Sequence, residues 1–93
     1  MGIRVHISSY FQRFTSGPDA IEVNGRTVGE CLDDLVKQFP SLEKVLFYEP
    51  GVLDDYIGVC INGEVVAAWE KPLSRSVLHG DEFSIIFLGI AGG

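Results

Sequence analysis

Few side chains in this 93-residue chain are of types that do chemistry. Cys31 and Cys60 would pair in an oxidising compartment, but they form no C-x-x-C and no His stands at metal-ligand spacing. The reading adopted is two reduced, mostly buried thiols, because free Cys behaves as a small hydrophobe. His6 and His79 lie far apart in sequence, with no Ser or Cys nucleophile marked by a local motif. A Cys/His pair needs hydrogen-bond reach, so one surface and one turn histidine are expected. Asp33-Asp34 and Asp54-Asp55 invite a metal only superficially, since adjacent carboxylates on a helix point apart; solvated faces are expected. What remains is "FLGIAGG", Phe87 to Gly93. Read as a chain terminus, Gly93 carries a carboxyl group of pKa about 3.3–3.7, an anion and a poor electrophile at neutral pH. It becomes an acyl donor only when activated, most simply as a mixed anhydride with a nucleotide phosphate. Glycine lets backbone approach a ligand or a partner's walls closely, which suits threading into another protein. The expected reacting group is therefore the Gly93 carboxylate. Leu88, Gly89, Ile90, Ala91 and Gly92, with Ile86 on the preceding strand, are the expected partner contacts.

Composition narrows what such a terminus could serve. The length fits one domain over residues 1–93, burying roughly 60–65% of its unfolded surface, enough for one core but not for a core and a deep catalytic cleft. With 46% hydrophobic and 22% charged residues the chain is ordinary globular material. A formal charge of −6, with seven basic residues scattered singly, argues against nucleic acid. No apolar run approaches the ~20 residues of a membrane span, and no signal peptide opens the chain, so a cytoplasmic protein is expected.

The elements that would carry the tail follow from periodicity. "IRVHISS" alternates, with Ile3, Val5 and Ile7 on one face, and reads as a half-buried strand. "YFQRFTSGPD" reads as a loop, and "AIEV" as a short partner strand. Val28, Cys31, Leu32, Leu35, Val36 and Phe39 form one stripe of a helix. Thr27 is its N-cap, Glu30 completes a capping box, and Pro40 stops it. "SLEKVLF" offers one further helical turn and "YEPGVLDD" reads as loop. "YIGVCI" and "EVVAAW" flank Asn62-Gly63, whose two positive-φ positions suit a type I′ hairpin. Trp69, Phe47 and Tyr48 are expected in core or edge packing. His79-Gly80-Asp81 forms a turn before the last strand, "EFSIIFL", with Phe83, Ile85 and Phe87 on one face and Ser84, Ile86 and Leu88 on the other. One amphipathic helix covers one face of a sheet, an α+β domain. The regular first and last strands belong side by side at the sheet centre, with a flexible tail at 89–93.

The ending "PLSRSVLHGDEFSIIFLGIAGG" resembles that of the MoaD/ThiS family of ubiquitin-like sulfur carriers: Leu73 or Leu78, then Gly80, Asp81 and Glu82, the strand through Leu88, and Ala91-Gly92-Gly93. The opening strand, "TVGECLDDLVKQFP" as capped helix and "VCINGEVV" as hairpin are similar to the family in the same order. The resemblance implies a β-grasp fold, a mixed sheet of 4–5 strands with one main helix on one face. It implies a cosubstrate rather than an enzyme, holding no permanent cofactor. An E1-like (MoeB/ThiF-like) adenylyltransferase would use ATP to join AMP to Gly93, sulfide from a donor would give a thiocarboxylate, and a biosynthetic enzyme would accept the sulfur. The "AGG" ending is similar to the small subunit of molybdopterin synthase and to carriers feeding cysteine or homocysteine synthesis. Thiamine-pathway carriers typically lack much of an insertion such as Leu42 to Asp55, and "LGI" replaces the proline that molybdopterin-type tails often carry. The alternative left open is a ubiquitin-like interaction or conjugation module, whose terminus joins lysine or does no chemistry.

Overall fold

The computed structural model describes residues 2–15, 19–49, 51–66 and 70–87. The alternation at the start makes β1 (Ile3–Ile7), with Ile3, Val5 and Ile7 buried. β2 (Ala20–Val23) returns antiparallel to it, Val5 facing Ile21. Between them the segment read as a loop contains one helical turn, α1 (Ser9–Gln12). Four residues are too few to leave a periodic signature or to be stable alone. Burial holds the turn: Phe11 is fully buried and Phe14 packs against the core. Gly17-Pro18 lies outside the described residues.

α2 (Val28–Gln38) buries Val28, Cys31, Leu32 and Leu35, while Val36 and Phe39 of the same stripe sit half-buried at the core margin. The Thr27 hydroxyl accepts from Glu30 N–H at 3.1 Å, as a cap should. The reciprocal bond slips by one residue: Glu30 Oε1 accepts from Arg26 N–H at 2.8 Å, not from Thr27. There the backbone is held from outside, since Val28 N–H donates to Arg75 O and Val77 N–H to Arg26 O, both at 2.9 Å. After Pro40 a 3-10 turn (Pro40–Leu42) and α3 (Glu43–Leu46) bury Leu42 and Leu46. The stretch read as loop beyond them is instead a small antiparallel ribbon, β3 (Phe47–Glu49) and β4 (Val52–Leu53). Strands this short carry no alternation to detect. Phe47 packs on the core, whereas Tyr48 projects into solvent at 77% exposure, a departure from the expected packing.

β5 (Ile57–Ile61) and β6 (Glu64–Val66) form the expected hairpin, with Asn62 at φ 49 and Gly63 at φ 88. Ala67, Ala68 and Trp69 lie outside the described residues. β7 (Glu82–Phe87) follows a turn closed by Asp81 N–H to Leu78 O, with Gly80 at φ 95. The sheet order is β2-β1-β7-β5-β6, a five-stranded mixed sheet with the first and last strands adjacent and parallel at its centre. α2 covers the face of Ile3, Val5, Val59, Phe83 and Ile85. On the opposite face the registers align Ala20, His6, Ser84, Cys60 and Val65 in one row across all five strands.

Two consequences bear on chemistry. Cys31 is buried under α2, whereas Cys60 alternates with inward Val59 and Ile61 and so points to the other face. A disulfide between them would have to pass through the sheet, so both are free thiols. The outer rim of edge strand β2 is occupied by α2: Asp34 Oδ2 accepts from Asn24 N–H at 3.1 Å, and Gln38 Nε2 donates to Glu22 O at 3.1 Å. Asp33 is solvent-exposed as expected, but Asp34 is half-buried by this structural task.

Candidate functional site

β7 is hydrogen-bonded on both sides for most of its length. β1 runs beside it from Arg4–Glu82 to Ile7–Ile85, and β5 from Ile61–Phe83 to Ile57–Phe87. Past Ile85 the β1 side is vacated, because the chain leaves β1 at Ile7 and turns into α1. Ile86 and Phe87 are therefore paired on the β5 side alone. Of the residues singled out from sequence, Ile86 falls within the described part. It is half-buried on the face away from α2, opposite Gly58, which offers it no side chain. Leu88, Gly89, Ile90, Ala91, Gly92 and Gly93, and the flexible tail expected at 89–93, lie outside the described residues.

Phe87 points to the α2 face but lies beyond α2's reach and is 37% exposed. α1 supplies its cover. The Tyr10 ring stacks on Phe87 with centroids 4.3 Å apart and planes 9° from parallel. Tyr56 adds a tilted ring at 6.2 Å, and the Arg13 guanidinium rests over the Tyr10 ring at 5.2 Å. Tyr10 in turn meets Phe11 edge-on at 5.1 Å, which ties the collar to the core. Sequence reasoning missed Tyr10, Arg13 and Tyr56. The available signal was the density of aromatics in "YFQRF", too high for an ordinary exposed loop.

The remaining titratable groups are occupied elsewhere. His6 Nε2 meets Glu82 Oε1 at 2.7 Å across β1 and β7, partly exposed, with no nucleophile in the pair. Cys31 is a poor thiolate: burial, reinforced by the Asp34 and Glu30 charges, pushes its pKa up to about 11 from 9.0. Among the described residues no three of His, Cys, Asp and Glu gather to hold a metal ion, and no helix is long and apolar enough to cross a membrane. An apolar groove of about 470 Å³ beside β5 and β6, lined by Val52, Leu53, Val65, Pro72 and Leu73, has only Asp54, Asp55 and Lys71 as charged walls. Of the two leucines matched to the family pattern, Leu73 packs on the core and Leu78 is 74% exposed.

A five-stranded mixed sheet grasping one long helix, with its last strand at the centre, defines the ubiquitin-like β-grasp class. No family model matches the sequence. Over 74 residues the chain is 39% identical to small archaeal modifier protein 1 of Haloferax volcanii, covering 78% of each. The crystal structure of SAMP1 from Haloferax volcanii has a TM-score of 0.81 to it at 29% identity, over 98% of each chain. A chain in the crystal structure of the Amycolatopsis orientalis BexX/CysO complex has a TM-score of 0.84 at 28% identity, covering 99% of this chain and all of that one. The chain belongs to the family of ubiquitin-like β-grasp sulfur carrier and modifier proteins, of MoaD/ThiS type.

Proposed function

We propose that this protein is a sulfur carrier whose reacting group is the Gly93 carboxyl. An E1-like adenylyltransferase joins it to AMP from ATP with release of pyrophosphate, and sulfide displaces AMP to leave a thiocarboxylate. An accepting biosynthetic enzyme then takes the sulfur, on the way to molybdopterin or to cysteine or homocysteine, and the carboxylate is regenerated. The carrier contributes no acid, base or nucleophile to these steps; it contributes reach and recognition through Ile86 and the segment Leu88–Gly93. The observation supporting this reading is the position of β7, which leads into "LGIAGG" from the centre of a sheet in a carrier/modifier family. A relative called a modifier favours a second reading, in which a lysine amine and not sulfide displaces AMP and an amide forms.

Intact mass separates the two. The purified chain is incubated with ATP, a sulfide source and candidate activating enzymes from the same organism, with and without acceptor protein. The carrier reading expects the mass gain of one oxygen-for-sulfur exchange, lost when Gly93 is deleted; the modifier reading expects a lysine-linked adduct. Deletion of Gly92–Gly93 with every biosynthetic activity retained would refute both.

A further inference from the structure

We propose that Tyr10 is a positioning residue for the activated terminus, acting through Phe87; this rests on the carrier reading above. The strand from which the tail leaves loses β1 after Ile85, so Ile86 and Phe87 have backbone partners on one side only. A strand end paired on one side splays more readily than one paired on both. The place vacated by β1 is filled by the element that directly follows β1, and the contact is a parallel ring stack at 4.3 Å, not incidental packing. Arg13 over the same ring at 5.2 Å adds a cation–π contact. Phe11, fully buried and edge-on to Tyr10, anchors the collar to the core.

The effect falls on geometry. A carboxyl that must meet a nucleotide phosphate gains rate from the direction in which its tail is delivered, and loose delivery lowers the fraction of bound complexes in attack position. Body docking is untouched, so the loss appears in kcat for adenylate formation and not in KM for the carrier. Aromatic pairs of this kind contribute enough to change such a fraction roughly 3- to 10-fold.

Tyr10→Ala, Tyr10→Phe and, as a remote destabilised control, Thr27→Ala are compared as full-length chains. Readouts are adenylate formation with the cognate activating enzyme, thermal midpoint, and backbone NMR order parameters at Ile86 and Phe87. Tyr10→Ala is expected to lower kcat by that factor with KM within about twofold, and to lower order at Phe87. Tyr10→Phe restores both, and Thr27→Ala moves neither. A KM rise at constant kcat overturns the proposal, since Tyr10 would then be a docking contact. So does an equal kcat loss in Thr27→Ala, or unchanged order at Phe87 in Tyr10→Ala. If the wild-type chain is never adenylated, the carrier reading fails, while the NMR measurement still decides whether Tyr10 holds the strand end.

Discussion

Replacing Cys31 by alanine should change how the protein's stability depends on alkaline pH. The folded-state pKa is raised to about 11 from 9.0, by burial first and then by the Asp34 and Glu30 charges. Below pH 9 both folded and unfolded chains keep the proton and the full stability is present. Above it the unfolded chain releases the proton while the folded chain retains it, so fewer protons are bound in the unfolded state and stability falls as pH rises. The difference of two pKa units corresponds to about 2.7 kcal/mol, lost progressively up to pH ~11. Lysines and tyrosines titrate in the same window, but their contribution is common to both proteins and cancels in the difference. Urea unfolding at several pH values between 8 and 11 measures that difference. At pH 8 the wild type should be more stable than Cys31→Ala by about 1 kcal/mol, from lost packing. The gap should close near pH 10 and invert beyond it. A gap that stays constant across the range would refute the assignment of a buried, neutral thiol.

The two thiols should also part in reactivity. A small alkylating reagent at pH 8 is expected to add once, at Cys60 on the open sheet face, with the second addition appearing only under denaturant; peptide mass mapping identifies the site, and early labelling of Cys31 would contradict its burial. Opening the guarded sheet edge by Asp34→Ala with Gln38→Ala should lower stability by roughly 1 kcal/mol and produce concentration-dependent self-association. Sedimentation velocity checks it; a monomer of unchanged stability would show that these bonds do not protect β2.

The features legible in the sequence were those with an internal period or a local conformational demand. Val28, Cys31, Leu32 and Leu35 repeat along one helical stripe, and Thr27 caps it within its own neighbourhood. Ile3, Val5 and Ile7 alternate, and Asn62-Gly63 carries the positive φ values of its turn type. What escaped was decided by distant neighbours. α1 exists because Phe11 finds the core and Tyr10 finds Phe87, contacts between opposite ends of the chain. β3 and β4 hold each other and have too few residues to alternate. The shift of the Glu30 bond to Arg26 depends on the bridge to Arg75 and Val77, which no capping rule contains. At the candidate site, the sequence pointed to the strand that leads to the tail and to Ile86, but not to the ring that covers the strand's end.

The placement of β7 also sets how the body would respond to a pull on its tail. A load on Gly93 is transmitted along β7, which is paired to β1 through Ile85 and to β5 through Phe87. Force along a strand bonded on both sides must shear its ladder bonds together, whereas an edge strand peels away one bond at a time. Had the chain ended on β2 or β6, the sheet edges, drawing the terminus into a partner would have frayed the domain from that edge inward. A central strand separates the two requirements, since the last residues can be extended into another protein while Phe83 and Ile85 remain locked in the core. The stretch exempt from this protection is Ile86–Phe87, held on one side alone, and it is there that the fold places the Tyr10 ring.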